Sequence, residues 1–350
     1  KNKKRNTDES IRFDAIDNSG CDHVLNAGSS TGAEVLAFVP TSTAMSFIRP
    51  VQFPIVHSGW VRSVAFDPTD TWVASGSDDN SLVLYSIASH GEVHAKLEGH
   101  TGSVYGVAFN SDGRQLASAS SDRTVRIWKI GPGGEGQLAM TLEGHTNTVL
   151  CVCYHGRDDN TLVTGSYDKT VRVWDVRQGV TRHVLRGHTD LVFSVSMSPN
   201  GRQIASGSAD ETVRVWDIDS GNEVAVLEEH SWSVGSVCWS GDGTMMASSS
   251  SDDTIIVWDA TSFQKIKTLT GHTSFVMSVS FNHDSTMLAS GFWDNTVIVW
   301  DVRRGTQLET FSIHTRAVTS VDFHPTKDQL VSGSEDMSVI LYNVSHLRSK

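Results

Sequence analysis

Histidine, aspartate and hydroxyl side chains recur along the chain at fixed distances, and these residue types bind metals, transfer protons and form nucleophilic triads. Seven histidines follow one another at intervals of 43, 45, 43, 42, 42 and 42 residues: His57, His100, His145, His188, His230, His272 and His314. An aspartate follows each of them after 22 or 23 residues: Asp79, Asp122, Asp168, Asp210, Asp252, Asp294 and Asp336. Four residues before each aspartate is a hydroxyl side chain: Ser75, Ser118, Thr164, Ser206, Ser248, Ser290 and Ser332. Six residues after each aspartate is an aromatic ring: Tyr85, Trp128, Trp174, Trp216, Trp258, Trp300 and Tyr342. Four residue types at fixed offsets in seven copies indicate a repeated structural unit.

The repetition itself argues against a catalytic or metal site. One histidine–aspartate pair per copy is expected to be distributed around the molecule, whereas a metal or an acid–base reaction needs several such groups near one atom. We therefore predict no catalytic residue, no metal and no cofactor. The hydroxyl is expected to face the interior of its unit, where it cannot attack a substrate as the serine of a triad does.

A structural network is the better interpretation of these residues. The aspartate belongs to a tight turn, where its carboxylate accepts hydrogen bonds locally and from the histidine ring. The histidine also bonds the serine or threonine hydroxyl, and the tryptophan N–H completes the chain of polar groups. Tyr85 and Tyr342 replace tryptophan, so the first and last copies should have altered networks.

Short apolar strands must position these side chains, as the unit from Gly187 to Asp217 shows. Val192, Val195 and Met197 alternate in an inner strand, and residues 204–208 and 212–216 form two more strands joined through the aspartate turn. A more polar fourth strand, residues 223–227, leads to the next histidine.

Two dipeptides place this unit in a known class of repeats. Gly-His occurs at residues 99–100, 144–145, 187–188 and 271–272, and Trp-Asp occurs at residues 174–175, 216–217, 258–259 and 300–301. In these features the chain resembles the WD40 repeat family over about residues 50 to 343. The resemblance implies an all-β propeller of four-stranded antiparallel blades. We divide the seven repeats at residues 57–99, 100–144, 145–187, 188–229, 230–271, 272–313 and 314–343, with a C-terminal tail at 344–350.

The residues before His57 decide the expected number of blades. Residues 11–17 resemble residues 61–67, and Leu25 to Ser29 resembles a second strand, although Ala27 replaces the hydroxyl. We therefore predict eight blades, with a polar tail at residues 1–9 and a degenerate WD-like unit at residues 10–56. In the alternative, seven blades are closed by a strand within residues 47–56, and residues 1–45 are an appendage.

Composition restricts the compartment and the class of partner. The formal net charge of -12 argues against direct nucleic-acid binding, because affinity for phosphate comes mainly from lysine and arginine. Cys21, Cys151, Cys153 and Cys238 show no disulfide spacing that repeats with the unit, which favours the cytoplasm or the nucleus. No apolar run approaches the ~20 residues of a membrane span, so we predict no membrane insertion.

Aromatic residues that interrupt the repeat are the candidate binding residues. The loop after each histidine and the residue before each aspartate should lie on one face of the ring, which places seven rings there: Trp60, Tyr105, Tyr167, Phe193, Trp232, Phe275 and Trp293. In the family that the chain resembles, this face binds partner peptides, sometimes with an arginine or lysine held between rings. Asp78, Asp190 and Glu335 favour a basic partner segment, whereas Arg62 and Arg316 oppose it.

These features predict a non-enzymatic scaffold that mediates protein–protein interactions within a multi-subunit assembly. Partner peptides would dock on the aromatic-rich face, because aromatic side chains supply large rigid contact areas. Two alternatives stay open from sequence alone. One is an architectural subunit of a ciliary, coat or RNA-processing assembly that uses its blade edges, and the other is a propeller that binds a small molecule or is an enzyme.

Overall fold

A computed structural model describes residues 49–156, 158–271 and 274–349 of the chain. In these residues, 28 strands form seven antiparallel sheets of four strands each. The innermost strand of each sheet lies against the innermost strands of the two neighbouring sheets, and the last lies against the first. The seven sheets are therefore the blades of a closed β-propeller.

The strands are numbered in chain order, and each blade is given from its inner to its outer strand. Blade 1 contains β2 (Val61–Phe66), β3 (Trp72–Ser77), β4 (Leu82–Ser86) and β5 (Glu92–Leu97), and blade 2 contains β6 (Val104–Phe109), β7 (Gln115–Ser120), β8 (Val125–Ile130) and β9 (Gly136–Leu142). Blade 3 contains β10 (Val149–His155), β11 (Asp158–Ser166), β12 (Thr170–Asp175) and β13 (Val180–Arg186), and blade 4 contains β14 (Val192–Met197), β15 (Gln203–Ser208), β16 (Val213–Asp217) and β17 (Glu223–Leu227). Blade 5 contains β18 (Val234–Trp239), β19 (Met245–Ser250), β20 (Ile255–Asp259) and β21 (Lys265–Leu269), and blade 6 contains β22 (Val276–Phe281), β23 (Met287–Phe292), β24 (Val297–Asp301) and β25 (Thr306–Phe311). Blade 7 contains β26 (Val318–Phe323), β27 (Gln329–Ser334), β28 (Val339–Asn343) and β1 (Val51–Gln52).

Burial explains why the four strands of a blade differ in composition. Every residue of β3 is buried, because neighbouring blades cover both faces of the sheet at this position, so the strand is a continuous run of apolar and small residues. In the outer strand β13, exposed and half-buried residues alternate, because one face of the edge strand meets solvent. The hydrophobic core consequently lies between blades rather than at the centre of the ring.

Side chains on the inner strands connect each blade to the next. The Ser194 hydroxyl accepts a hydrogen bond from Val237 N at 3.1 Å, and the Ser278 hydroxyl accepts one from Val321 N at 3.1 Å. At the junction of blades 7 and 1, the Ser320 hydroxyl takes this role and accepts from Val64 N at 3.1 Å. Two residues further along the inner strand, the carboxyl group of Asp322 accepts from Phe66 N at 2.9 Å, whereas at the equivalent position of blade 6 the Ser280 hydroxyl accepts from Phe323 N at 3.1 Å. The last junction of the ring therefore contains an acid where blade 6 has serine.

Blade 7 is completed by both ends of the described chain. Val51 pairs with Leu341, and Phe53 N donates a hydrogen bond to Val339 O at 2.9 Å. The eight-bladed prediction is therefore wrong, and the seven-bladed alternative, in which residues 47–56 supply the closing strand, agrees with the structure. Residues 10–48 of the predicted degenerate unit lie outside the described residues.

A 3₁₀ helix, Ser345–Ser349, follows the last strand. Val344 and Leu347 are buried in the core of blade 7. Arg348 bonds Asp284 at 2.6 Å and also pairs with Asp328, which joins blade 6 to blade 7. The segment that the sequence separates as a C-terminal tail thus makes defined contacts with the propeller.

The half-buried carboxyl group of Asp322 should make stability depend on pH. Burial raises its pKa to about 7, although the N–H of Phe66 and the hydroxyl of Ser280 act in the opposite direction. A pKa raised above the unfolded value of about 3.9 means that its stabilising contribution is complete below pH 4 and is lost as the pH rises through 7. Replacement of Asp322 by Ser, the residue at the equivalent position of blade 6, should therefore stabilise the protein more at pH 8 than at pH 5.5. Urea denaturation of both proteins at the two pH values measures this difference, and equal effects at both would contradict it.

The residue after each network aspartate has a left-handed backbone, with φ between 66° and 72°: Asn80, Arg123, Lys169, Glu211, Asp253, Asn295 and Met337. This conformation costs a residue with a Cβ atom about 1 kcal/mol relative to glycine. Glu211→Gly is therefore expected to raise the free energy of unfolding by roughly 0.5–1 kcal/mol. Asn80→Gly is the control and should change it less, because asparagine tolerates this conformation. Urea denaturation measures the free energy of unfolding of both variants. A loss of stability in Glu211→Gly would show that the glutamate side chain supports its turn.

Candidate functional site

The repeated polar residues form one hydrogen-bonded chain in each blade, and blade 2 shows its geometry. His100 Nδ1 lies 2.7 Å from Asp122 Oδ2, and His100 Nε2 lies 2.7 Å from Ser118 Oγ. Trp128 Nε1 donates to Ser118 Oγ at 2.9 Å. Because an ionised carboxylate only accepts hydrogen bonds, Nδ1 carries the proton of a neutral ring, and the serine hydroxyl donates to Nε2.

The same contacts occur in the other blades whose histidine the structure describes. The distances are 2.7–3.0 Å from Nδ1 to the aspartate and 2.6–2.8 Å from Nε2 to the hydroxyl, for His57, His145, His188, His230 and His314. His272 lies outside the described residues, and in its blade Trp300 donates to Ser290 at 2.8 Å and Asp294 accepts from Thr296 N at 3.1 Å. In blade 7 the hydroxyl of Tyr342 lies 3.0 Å from Ser332 Oγ, so the phenol takes the place of the indole N–H.

Electrostatics keep the network aspartates of six blades ionised. Burial opposes the charge of Asp122, but hydrogen bonds from His100 and Thr124 outweigh it and hold the pKa of Asp122 well below its usual range. The pKa is lowered by the same balance at Asp79, Asp168, Asp210, Asp252 and Asp336. Each pair lies in its own blade, and no three His, Cys, Asp or Glu residues of the described part of the chain converge on a possible metal position. The arrangement holds the aspartate turn to the neighbouring strands.

Backbone hydrogen bonds bring the loop before each inner strand to the aspartate turn of the same blade. Asp78 N donates to Trp60 O at 2.9 Å, and Tyr167 N donates to Thr148 O at 2.9 Å. The loops and the turns therefore share one side of the ring, which we call the loop face. The seven predicted binding residues belong to its loops and turns or to the first residues of the inner strands.

Four residues of blades 1 and 2 form the Arg62 cluster: Trp60, Arg62, Asp78 and Tyr105. The Arg62 guanidinium carbon lies 4.7 Å from the ring centroid of Trp60 and 5.3 Å from that of Tyr105. Nε and Nη2 of Arg62 donate to the two carboxylate oxygens of Asp78 at 2.8 and 2.7 Å. The cluster is therefore a paired cation in contact with two aromatic rings.

Two further groups lie within electrostatic reach of Arg62. Burial raises the pKa of Tyr167 to about 12, with the neighbouring Tyr105 adding to the effect and the charge of Arg62 opposing it. Burial also raises the pKa of Glu335, and the charges of Arg62 and Arg316 oppose that shift. Side chains of blades 7, 1, 2 and 3 thus surround one arginine on the loop face.

A second set of rings on the loop face remains open to solvent. Trp232 is 54% exposed and Trp293 is 39% exposed. The rings of Phe275 and Trp293 meet edge to face, with 5.7 Å between their centroids. We call Trp232, Phe275 and Trp293 the blade 5–6 patch, and half-buried Phe193 of β14 lies in the preceding blade. The predicted residues therefore fall into two chemically different sets.

The pairing of Arg62 with Asp78 is a feature that the sequence interpretation missed. A signal was present at the second position of the seven inner strands, where the residues are Arg62, Tyr105, Leu150, Phe193, Gly235, Met277 and Thr319. Arg62 is the charged residue of this set, and an alignment of the repeats would have identified it.

A groove of about 610 Å³ lies between blades 2 and 3, away from the predicted binding residues. It is lined by residues that include Gln115, Lys129, Met140, Asp159 and Arg177. Asp159 accepts a hydrogen bond from Ser111 N at 2.9 Å. The groove thus has an apolar wall and charged groups of both signs.

Comparison with known proteins assigns the repeats. The family model described as WD domain, G-beta repeat, matches seven segments, at residues 49–86, 91–129, 136–175, 179–217, 221–259, 263–301 and 305–343. Nuclear distribution protein PAC1 of Arthroderma otae is 30% identical over 173 residues, which are 47% of this chain and 36% of that protein. Coronin-7 of Mus musculus is 38% identical over 82 residues, 22% of this chain and 9% of coronin-7. Pre-mRNA-splicing factor PRP46 of Eremothecium gossypii is 42% identical over 45 residues, 13% of this chain and 10% of that protein. The chain therefore spans between 9% and 36% of the length of these three relatives.

Proposed function

Because the chain belongs to the WD40 family of β-propellers, whose members are commonly protein-interaction scaffolds, we propose that it is a non-enzymatic platform within a larger protein assembly. In this proposal, partner peptides dock on the loop face. A rigid ring holds the loops in place, so a partner binds a surface that is already formed.

The exposed rings of the blade 5–6 patch are the observation that supports this proposal. Trp232 and Trp293 expose 54% and 39% of their surface, although every tryptophan of the polar networks is buried. Exposed tryptophans on a rigid surface provide large contact areas at a small cost in conformational entropy, and tryptophan is enriched among residues that dominate binding energy. The loop face is thus better suited to a peptide than to catalysis.

The free cysteines and the net charge support a proposal for the compartment and for the class of partner. Cys151, Cys153 and Cys238 are free and lie on inner strands, which supports a place in the cytoplasm or the nucleus. The part of the chain that the structure describes has no helix with the length and hydropathy of a membrane span. We propose other proteins, rather than nucleic acid, as the partners of this acidic chain.

A comparative pull-down tests the role of the loop face. The face variant carries Phe193→Ala, Trp232→Ala and Trp293→Ala, and the control variant carries Val184→Ala, Val224→Ala and Ile266→Ala on three outer strands. The control residues are exposed by 37%, 45% and 52%. We expect the face variant to lose a defined set of partners at least tenfold in quantitative mass spectrometry, while the control retains them.

The opposite result would favour the architectural alternative. If the control variant loses the partners and the face variant keeps them, the outer strands are the contact surface. Both proteins must first show the thermal unfolding of the wild type, because a misfolded variant would lose partners for a trivial reason. Identical partners in all three proteins would contradict both proposals.

A further inference from the structure

We propose that the loop face contains a cation-binding site built from Trp60, Tyr105 and Asp78, and that the chain's own Arg62 is its resident ligand. A consequence for partners follows, and this consequence rests on the proposed function. A partner that docks on the loop face must anchor through a neutral, apolar side chain rather than through arginine or lysine.

The contacts of Arg62 are those that a protein makes to a bound guanidinium ion. The guanidinium carbon lies 4.7 Å and 5.3 Å from two aromatic centroids, which is within the range of a cation–π contact. The carboxylate of Asp78 accepts two hydrogen bonds from it, at 2.8 and 2.7 Å, one at each oxygen, and such bidentate pairing is frequent between guanidinium and carboxylate groups. The Arg62 side chain is only 12% exposed, so the cation is largely removed from water.

This site is not part of the repeated architecture. The position of Asp78, directly before the network aspartate, is occupied in the following blades by Ser121, Tyr167, Ala209, Ser251, Trp293 and Glu335. Neighbouring blades build the same turn without an arginine–aspartate pair, and blade 1 already holds its turn through His57 and Asp79 at 3.0 Å. The fold therefore does not require Arg62 at this position.

The resident arginine determines which partner groups the face can accept. A partner's arginine or lysine would have to displace Arg62 from Asp78 and would then lie beside a second positive charge. This like-charge contact is unfavourable in a partly desolvated site. Trp232 and Trp293 of the blade 5–6 patch remain exposed and offer apolar contact instead.

Small cations test the site directly. Methylguanidinium, which has the head group of arginine, is titrated into wild-type protein and into Arg62→Ala, with tryptophan indole signals followed by NMR. We expect the variant to bind it with millimolar affinity and the wild type to bind it at least tenfold more weakly. N-methylurea, its neutral isostere, should bind neither protein. Adding Asp78→Asn to the variant should abolish binding.

Two results would overturn the inference. One is equal binding of methylguanidinium to wild type and variant, and the other is no binding to a folded Arg62 variant. Arg62→Thr serves as the second variant if Arg62→Ala does not fold, because Thr319 occupies the equivalent position of blade 7. If Arg62 had a purely structural role, its replacement would change stability but would not create a site that distinguishes methylguanidinium from methylurea.

A peptide-display selection separates the failure of this inference from failure of the proposed function. Wild-type protein should select peptides with an apolar anchor, and Arg62→Thr should shift the selection towards arginine. If wild type selects no peptide while the variant binds methylguanidinium, the cation site stands and peptide docking fails. If wild type selects arginine-anchored peptides, the resident-ligand inference fails and docking stands.

Discussion

Replacing Asp210 by Ala should lower the free energy of unfolding by about 3–5 kcal/mol, because it removes the acceptor of the buried His188 ring and of three further donors. Oδ2 of Asp210 accepts from His188 Nδ1 at 2.8 Å and from Thr189 N at 2.9 Å. Oδ1 accepts from Thr212 N at 3.1 Å and from its hydroxyl at 2.7 Å. Urea denaturation monitored by tryptophan fluorescence measures the loss.

Asp219→Ala is the matched control for this prediction. Asp219 is an exposed residue of the same blade, so its removal should change stability by less than about 0.5 kcal/mol. If Asp210→Ala cost no more than Asp219→Ala, the polar chain would not stabilise the blade. The comparison removes one carboxylate in each variant, so their net charges are equal.

The pH dependence of the Asp210 effect has a definite sign. Burial opposes ionisation of Asp210, but hydrogen bonds from His188 and Thr212 outweigh it, so the pKa is lower in the folded protein than in the unfolded chain. The contribution of Asp210 to stability is then complete above the unfolded pKa of about 3.9, and it is lost as the pH falls through the pKa of the folded protein. The difference between wild type and Asp210→Ala should therefore be constant near pH 7 and shrink below pH 4.

The repeat period predicted the strands well because each blade is a local structure. Residues 204–208, 212–216 and 223–227 were predicted as strands, and the structure has Gln203–Ser208, Val213–Asp217 and Glu223–Leu227. Turn residues and alternating apolar residues determine these elements within about 30 residues of chain. Local sequence patterns were therefore sufficient to predict these strands.

The number of blades and the pairing of Arg62 could not be predicted in the same way. Closure depends on the pairing of Val51 with Leu341, which are almost 300 residues apart, and no local period encodes such a pairing. The similarity of residues 11–39 to a repeat favoured eight blades but contained no information about the partner of the strand near residue 51. Arg62 and Asp78 were each noted in the sequence, but their hydrogen bonds became evident only from the structure.

Phe53→Ala should produce an effect as large as Asp210→Ala, because Phe53 anchors the short strand that closes the ring. The side chain is 1% exposed, and its ring lies 5.2 Å from that of Tyr85 in blade 1. Removing a buried phenylalanine side chain costs about 3–5 kcal/mol. Urea denaturation measures the loss, and Ile55→Ala is the control, since Ile55 is close in sequence but 54% exposed.

Amide hydrogen exchange then tests whether Phe53→Ala loses stability at the strand that closes the ring. Strand β1 has only two residues, Val51 and Gln52, so few hydrogen bonds hold it once the Phe53 ring is gone. Exchange should accelerate in blade 7 at Leu341, which pairs with Val51 and faces β1, before it does so in blade 4. Uniform acceleration across all blades would mean that the ring opens as one cooperative unit. Unchanged exchange at Leu341 would mean that Phe53 does not hold the closing strand.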